Sequence, residues 1–150
     1  MKRPILVSAC LLGLDTRYNG ELKKNQRVLD YLHNGGYLPI PVCPEQLAGL
    51  PTPRPASCFQ QGDGNAVLDG TGTLSNGNGE ILNQAFIKGA HEVMKIARLC
   101  QCSEALFKER SPSCGVHQVY CQQDIVAGSG VTTALLQRNG IRVFCEEDFG

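Results

Sequence analysis

The sequence predicts a single α/β domain over residues 1–150, with a mainly parallel β-sheet flanked by helices in a Rossmann-like plan. Three observations lead there. Short apolar runs of strand length alternate with segments of helical periodicity, the pattern of a largely parallel sheet. The longest helical segment carries one continuous apolar face. A chain of 150 residues with 42% hydrophobic content is long enough for one core.

The elements follow in order. Pro4–Ala9 (P-I-L-V-S-A) suits a buried strand and leads directly to Cys10. Asn25–Leu32 sets Val28, Leu29 and Leu32 on one helical face, and Gly35-Gly36 stops it. Tyr37–Val42 is a second strand, ending at Cys43; Pro39 and Pro41 lack N–H donors and place it at a sheet edge or make it irregular. Leu50–Ala56 is a proline-rich loop. A Gly/Asn-rich stretch at about 62–79 reads as a flexible insert, with a small hairpin over Asn65–Leu74. Glu80–Leu99 is the clearest helix, with Leu82, Phe86, Gly89, Val93, Ile96 and Cys100 on one face. Glu104–Phe107 is a third strand, Val131–Arg138 a short helix stopped by Asn139-Gly140, and Ile141–Cys145 a last strand. No internal repeat is present.

Charge and composition exclude some classes of function. The formal net charge is zero, which argues against a strongly basic nucleic-acid surface. No apolar run approaches the roughly 20 residues that cross a bilayer. Lys2 and Arg3 are followed by no small-residue cleavage pattern, which argues against a secretory signal and for a cytoplasmic chain. Eight cysteines in such a chain point to metal or redox chemistry rather than to a disulfide frame.

Three of those cysteines, Cys10, Cys43 and Cys114, each lie at or just after a predicted strand. Open parallel sheets bind ligands beyond the carboxyl ends of their strands, so this plan would bring the three to one rim. Backbone amides after each cysteine would stabilise negative charge on sulfur. Soft thiolates suit an iron–sulfur cluster, zinc or copper(I). Held by three thiolates, a [4Fe–4S] cluster would keep one iron open as a Lewis acid. The plain alternative is that all three are small buried hydrophobes.

The motifs around them carry a resemblance. S-A-C-L-L-G (Ser8–Gly13), R-Y-N-G (Arg17–Gly20), P-V-C-P-E (Pro41–Glu45), P-R-P (Pro53–Pro55), K-E-R-S-P-S-C-G (Lys108–Gly115) and G-V-T-T-A-L-L (Gly130–Leu136) resemble the bacterial thiouracil desulfurase family over nearly the whole chain. The same domain, fused to a second one, occurs in enzymes that desulfidate thiolated tRNA. The family's usual R-Y-D-G reads R-Y-N-G here, with Asn19 replacing the acid. The resemblance implies an enzyme that removes sulfur from a thiolated pyrimidine or related small molecule and releases sulfide. It implies a [4Fe–4S] cluster on Cys10, Cys43 and Cys114, with Glu45 and a serine of Ser111-Pro112-Ser113 in the chemistry. A non-enzymatic metal- or sulfur-binding module on the same cysteines is the rival from another class.

The remaining candidates are read from the residues. Arg17, Arg54 and Arg110 are candidate substrate-binding groups for an anion or a carbonyl. Ser111 and Ser113 also suit an ordinary turn. Cys100 fits the core face of its helix, and Cys58, Cys121 and Cys145 have no motif and read as structural. His117 follows the third cysteine and could reach the site. Gly128-Ser129-Gly130 before a helix could bind an anion.

Overall fold

In chain order the elements begin with β1 (Arg3–Ser8), a 3₁₀ turn (Ala9–Leu12), α1 (Gln26–Asn34), β2 (Tyr37–Val42), α2 (Pro44–Leu47), β3 (Ser57–Gln61) and α3 (Gly64–Asp69). They continue with β4 (Thr73–Asn76), α4 (Asn83–Cys100), β5 (Glu104–Phe107), β6 (Gln118–Cys121), β7 (Asp124–Ala127), α5 (Val131–Arg138) and β8 (Arg142–Cys145). The structure, a computed structural model, describes residues 1–20 and 24–149.

The first sheet has the order β2-β1-β5-β8 and is parallel throughout. Successive residues of β1 face opposite sides. Ile5 and Val7 pack with Val28 and Leu32 of α1, and with Leu106 and Phe144. Leu6 packs on the other side with Val93, Met94 and Ala97 of α4 and Leu136 of α5. Helices therefore cover both faces, and each fully buried aliphatic side chain contributes about 1.5–3 kcal/mol of transfer free energy. Strand β2, with its two prolines, lies at the edge of this sheet.

A second sheet, of order β4-β3-β6-β7, stands beside the first. It is mixed: β3/β4 and β6/β7 are antiparallel, while β3 meets β6 in parallel at Phe59 and Cys121. Its own core joins Phe59, Leu74 and Val119 to Val67 of α3, Phe86 and Ala90 of α4, and Val131 of α5. The mainly parallel plan expected from the sequence describes the first sheet; the second sheet is an addition to it.

The segment read as an insert at about 62–79 forms α3 and β4, not a hairpin over Asn65–Leu74. Asp63 caps α3 by accepting from the Ala66 amide, and Gly70 closes it in the left-handed conformation at φ +82°. Strand β4 then pairs backwards onto β3 rather than with a neighbour inside the segment.

Two close approaches lock the segments that carry the predicted site. A Cβ on Gly89 of α4 would lie 2.2 Å from the Pro44 carbonyl oxygen, so only glycine lets α4 pack against the Cys43–Glu45 turn. A Cβ on Gly130, at the start of α5, would lie 2.4 Å from the Ser113 carbonyl carbon and 2.7 Å from the Cys114 nitrogen.

Candidate active site

Cys10 sits in the 3₁₀ turn after β1, Cys43 is the residue between β2 and α2, and Cys114 lies in the loop from β5 to β6. All three line one cavity of about 460 Å³ beyond the carboxyl ends of β1, β2 and β5. Glu45, Ser111, Ser113, Arg17, Arg54 and Arg110 line the same cavity, so the fold brings these six and the three cysteines to one place. Burial pushes the Cys10 thiol up to about 11, against the opposing pull of Lys108, and the Cys114 thiol up to about 12, against hydrogen bonds from Ser8 and Ser113. The Cys43 Sγ lies 3.7 Å from the Thr16 carbonyl oxygen.

The donor set favours a polynuclear centre over one ion. A tetrahedral zinc with Zn–S bonds of about 2.3 Å needs its sulfurs roughly 4 Å apart. Among the described residues, the group of potential ligands gathered within 4.8 Å of one another is Glu109, His117 and Cys145, not the three cavity cysteines. A cubane cluster places each thiolate on a different iron and takes thiols set farther apart. Three soft donors fit such a cluster.

Glu45 is tied at both oxygens. Arg54 Nε donates to Oε1 at 3.0 Å, and Ser113 Oγ lies 3.2 Å from Oε2. The Arg54 side chain is only 5% exposed. Its other donors reach the carbonyl oxygens of Pro51 and Thr16 and the Thr52 hydroxyl, at 3.1, 3.0 and 2.9 Å. The guanidinium therefore faces the carboxylate and the backbone, which fixes Glu45 rather than leaving Arg54 open to a ligand.

The two serines differ. Ser111 Oγ accepts from the amides of Ser113 and Cys114 at 3.2 and 3.1 Å, a turn-forming arrangement. Ser113, 1% exposed, faces Glu45, and its Oγ also stands 3.1 Å from Ser111 Oγ and 3.7 Å from Cys114 Sγ.

The loop holding Ser113 and Cys114 is pinned from three directions. At the start of α5, the amides of Val131 and Thr132 donate to the carbonyls of Pro112 and Ser113 at 3.0 and 2.9 Å, and Thr133 Oγ1 donates to the Cys114 carbonyl at 2.8 Å. These helix-start donors serve the loop and not an anion, which corrects the reading of Gly128-Ser129-Gly130 as an anion site.

Beneath the loop, Glu109 is 3% exposed and accepts from the amides of Arg110, Val116, His117 and Gln118. Burial alone would raise its pKa; the four amides outweigh burial and hold the carboxyl below its ordinary value. From the C-terminus, Glu146 pairs with Lys108 and accepts from the Glu109 amide at 2.7 Å, Glu147 pairs with Arg110, and Asp148 meets His117 Nε2 at 2.8 Å. Arg110, at φ +67°, reaches the cavity wall already paired with Glu147, whose hydrogen bond raises the guanidinium pKa.

Sequence reasoning missed some members of this site. Glu109 stands inside the K-E-R-S-P-S-C-G motif, but its role runs through backbone amides that no side-chain pattern reveals. Cys58, read as structural, lines the cavity from β3, and Tyr120 and Gln122 line it from β6 and the turn after it. His117 does not line the cavity; it turns to Asp148. Cys102 and Cys145 are buried in the main core, and Cys100 packs against it from α4.

The fold and the rim define a class: an α/β domain whose parallel sheet ends in three thiols facing a carboxylate and a buried hydroxyl. Residues 5–148 match the 2-thiouracil desulfurase family, and the chain belongs to it. The YbbK protein of Bacillus subtilis strain 168 is 35% identical over 147 residues, covering 96% of each chain. A solved structure of the [4Fe-4S]-dependent thiouracil desulfidase TudS is similar with a TM-score of 0.81 and 38% identity, over 99% of this chain and 93% of that one. Among the described residues, no helix is long and apolar enough to cross a membrane.

Proposed function

We propose that this chain is an iron–sulfur-dependent desulfidase that exchanges the exocyclic sulfur of a thiolated pyrimidine, thiouracil-like, for oxygen. Water supplies the oxygen and sulfide leaves, so the reaction is hydrolytic and needs no net electron transfer. The observation that carries this reading is the meeting of Cys10, Cys43 and Cys114 with the Glu45–Ser113 pair in one cavity. Family membership and the likeness to TudS support it.

The three cysteines would hold a [4Fe–4S] cluster, which when bound supplies an open iron as a Lewis acid for the substrate's sulfur. The chain's own residues supply the proton chemistry. Glu45, in the cavity lining, takes the proton that water loses as it attacks the carbon. Ser113 relays that proton toward the leaving sulfur, because its hydroxyl bridges Glu45 and the Cys114 side of the site. Arg54 keeps Glu45 in one orientation through Oε1.

The substrate in this reading is a small molecule and not free nucleic acid, in keeping with the zero net charge. The place of action is the cytoplasm, where the thiols stay reduced. The test is anaerobic reconstitution followed by incubation with 2-thiouracil. The result expected is release of sulfide with matching formation of uracil. A colourless chain that loads zinc at the three cysteines and releases no sulfide would instead identify a metal-binding module.

A further inference from the structure

Cys10, Cys43 and Glu45 come from the carboxyl side of the parallel sheet and Cys114 from the loop that leads on into β6, and the second sheet adds residues of its own to the cavity. Its inner strands supply the facing wall of the cavity: Ser57 and Cys58 from β3, Tyr120 from β6 and Gln122 from the turn that follows. Two features of that wall point to a ligand. The first is Tyr120. The chain has four tyrosines and no tryptophan. Tyr31 and Tyr37 stack on each other, and Tyr31 also stacks on Phe149, so those two rings belong to the core, while Tyr18 lines the cavity from the first sheet's side with the Arg17 guanidinium 6.0 Å from its ring. Tyr120 is 44% exposed, and among the described residues its ring has no aromatic or hydrogen-bonding partner.

The second feature is Gln122. Of the three non-glycine residues with positive φ among the described residues, Gln101 ends α4, while Arg110 and Gln122 both line the cavity. Gln122 is held at φ +57° by its amide donating to the Phe59 carbonyl at 2.7 Å. Gln122 opens the two-residue turn between β6 and β7, where a left-handed conformation is the ordinary geometry, and the turn sets it in the cavity lining with its side-chain Nε2 donating to the Gln60 carbonyl at 3.5 Å and its Oε1 left to accept.

We propose that the second sheet is the recognition wall of the cavity, with the Tyr120 ring as the stacking surface for a planar heterocycle and the Gln122 amide as the group that reads the heterocycle's polar edge. This rests on the desulfidase reading. An aromatic face holds any planar base without selecting its sequence of heteroatoms, whereas an amide offers both a donor and an acceptor to an N–H/C=O edge. The ring would then lie between the second sheet and the thiol rim, with its sulfur toward the cysteines.

The experiment uses uracil, which keeps the ring and lacks the sulfur. Its binding is measured by calorimetry on the chain before and after anaerobic reconstitution, for the parent, Tyr120→Ala, Tyr120→Phe and Gln122→Ala. Sulfide release from 2-thiouracil is measured on the same samples. The expected results are affinity lowered about tenfold by Tyr120→Ala and nearly restored by Tyr120→Phe. KM should rise in parallel while kcat changes little, and Gln122→Ala should weaken binding with its circular dichroism unchanged. Parent-like binding and KM in folded Tyr120→Ala would overturn the proposal, as would a parent chain that binds no uracil in either state. A parent that binds uracil through Tyr120 but releases no sulfide would keep the recognition wall and remove the desulfidase reading.

Discussion

Ser113 has a single hydroxyl proton and three neighbours within reach: Glu45 Oε2 at 3.2 Å, Ser111 Oγ at 3.1 Å and Cys114 Sγ at 3.7 Å. A carboxylate is the strongest acceptor of the three, so the proton goes to Glu45 and the Ser111 hydroxyl turns its own toward Ser113. Ser111 keeps lone pairs for the two amides it accepts from. The two serines should therefore separate on mutation. Ser113→Ala should lower sulfide release per cluster by at least tenfold with little change in thermal midpoint. Ser111→Ala should cost about 1–3 kcal/mol of stability, because two buried amides lose their acceptor. Equal effects of both substitutions on activity and melting would contradict this division. Glu45→Gln should retain cluster iron but lose turnover on the order of 10²–10⁴-fold, as removal of a general acid–base group does. Activity per iron within a few-fold of the parent would remove Glu45 from proton transfer.

At the scale of elements, the loop from β5 to β6 is shaped less by its own residues than by what closes on it. Gly130 lets α5 approach its backbone, and a Cβ there has nowhere to go. Gly130→Ala should therefore reduce iron loading, read as iron per chain after reconstitution, while an alanine at Gly140, which meets nothing within 4 Å, should cost stability through its φ of +80° alone. The Glu109 nest and the C-terminal pairs give this loop a pH dependence. Glu109 and Asp148 both sit below their ordinary pKa: burial opposes ionisation, but the amides around Glu109, and the Cys145 amide and His117 beside Asp148, outweigh it. Their stabilisation is complete above the ordinary carboxylate values of about 4 and is lost as pH falls through the lowered ones. Thermal midpoints recorded from pH 7 down to pH 2 should fall in that acid window, and Glu109→Gln should flatten the fall while lowering the midpoint at neutral pH. An unchanged acid limb in Glu109→Gln would show that the nest does not carry it.

The same elements show what a sequence reveals. Strands β1, β5 and β8 were legible because buried parallel strands are continuous apolar runs, and β2 as a run of strand length between Gly36 and Cys43 whose two prolines mark it as an edge. The second sheet was not, because each of its strands carries few core residues: β3 buries only Phe59 and β6 only Val119. Its pairing joins segments some sixty residues apart, Phe59 to Cys121, which no local pattern encodes. Helix α3 did leave a signal, with Asp63 at its start and Gly70 at its end, though the surrounding glycines and asparagines read as loop. In the site, cysteines and serines announced themselves by type and motif, whereas Glu109 acts through amides, and Tyr120 and Cys58 reach the cavity only by way of the unforeseen sheet.

At the scale of the molecule, two sheets meet over one cavity: a parallel one that ends in thiols, and a mixed one that faces them. The cluster chemistry belongs to the first. Cys10, Cys43 and Cys114 should be the ligands and Cys58, though it lines the same cavity, should not be. The direct measurement is iron and acid-labile sulfide per chain after anaerobic reconstitution, with sulfide release from 2-thiouracil on the same samples, for the parent and for single serine variants at the four positions. The expected result is full loading and turnover in the parent, loading close to the parent's in Cys58→Ser, and sharp loss of both iron and turnover in each of the other three. Full iron loading in Cys114→Ser, or a fully loaded parent that leaves 2-thiouracil intact, would contradict it.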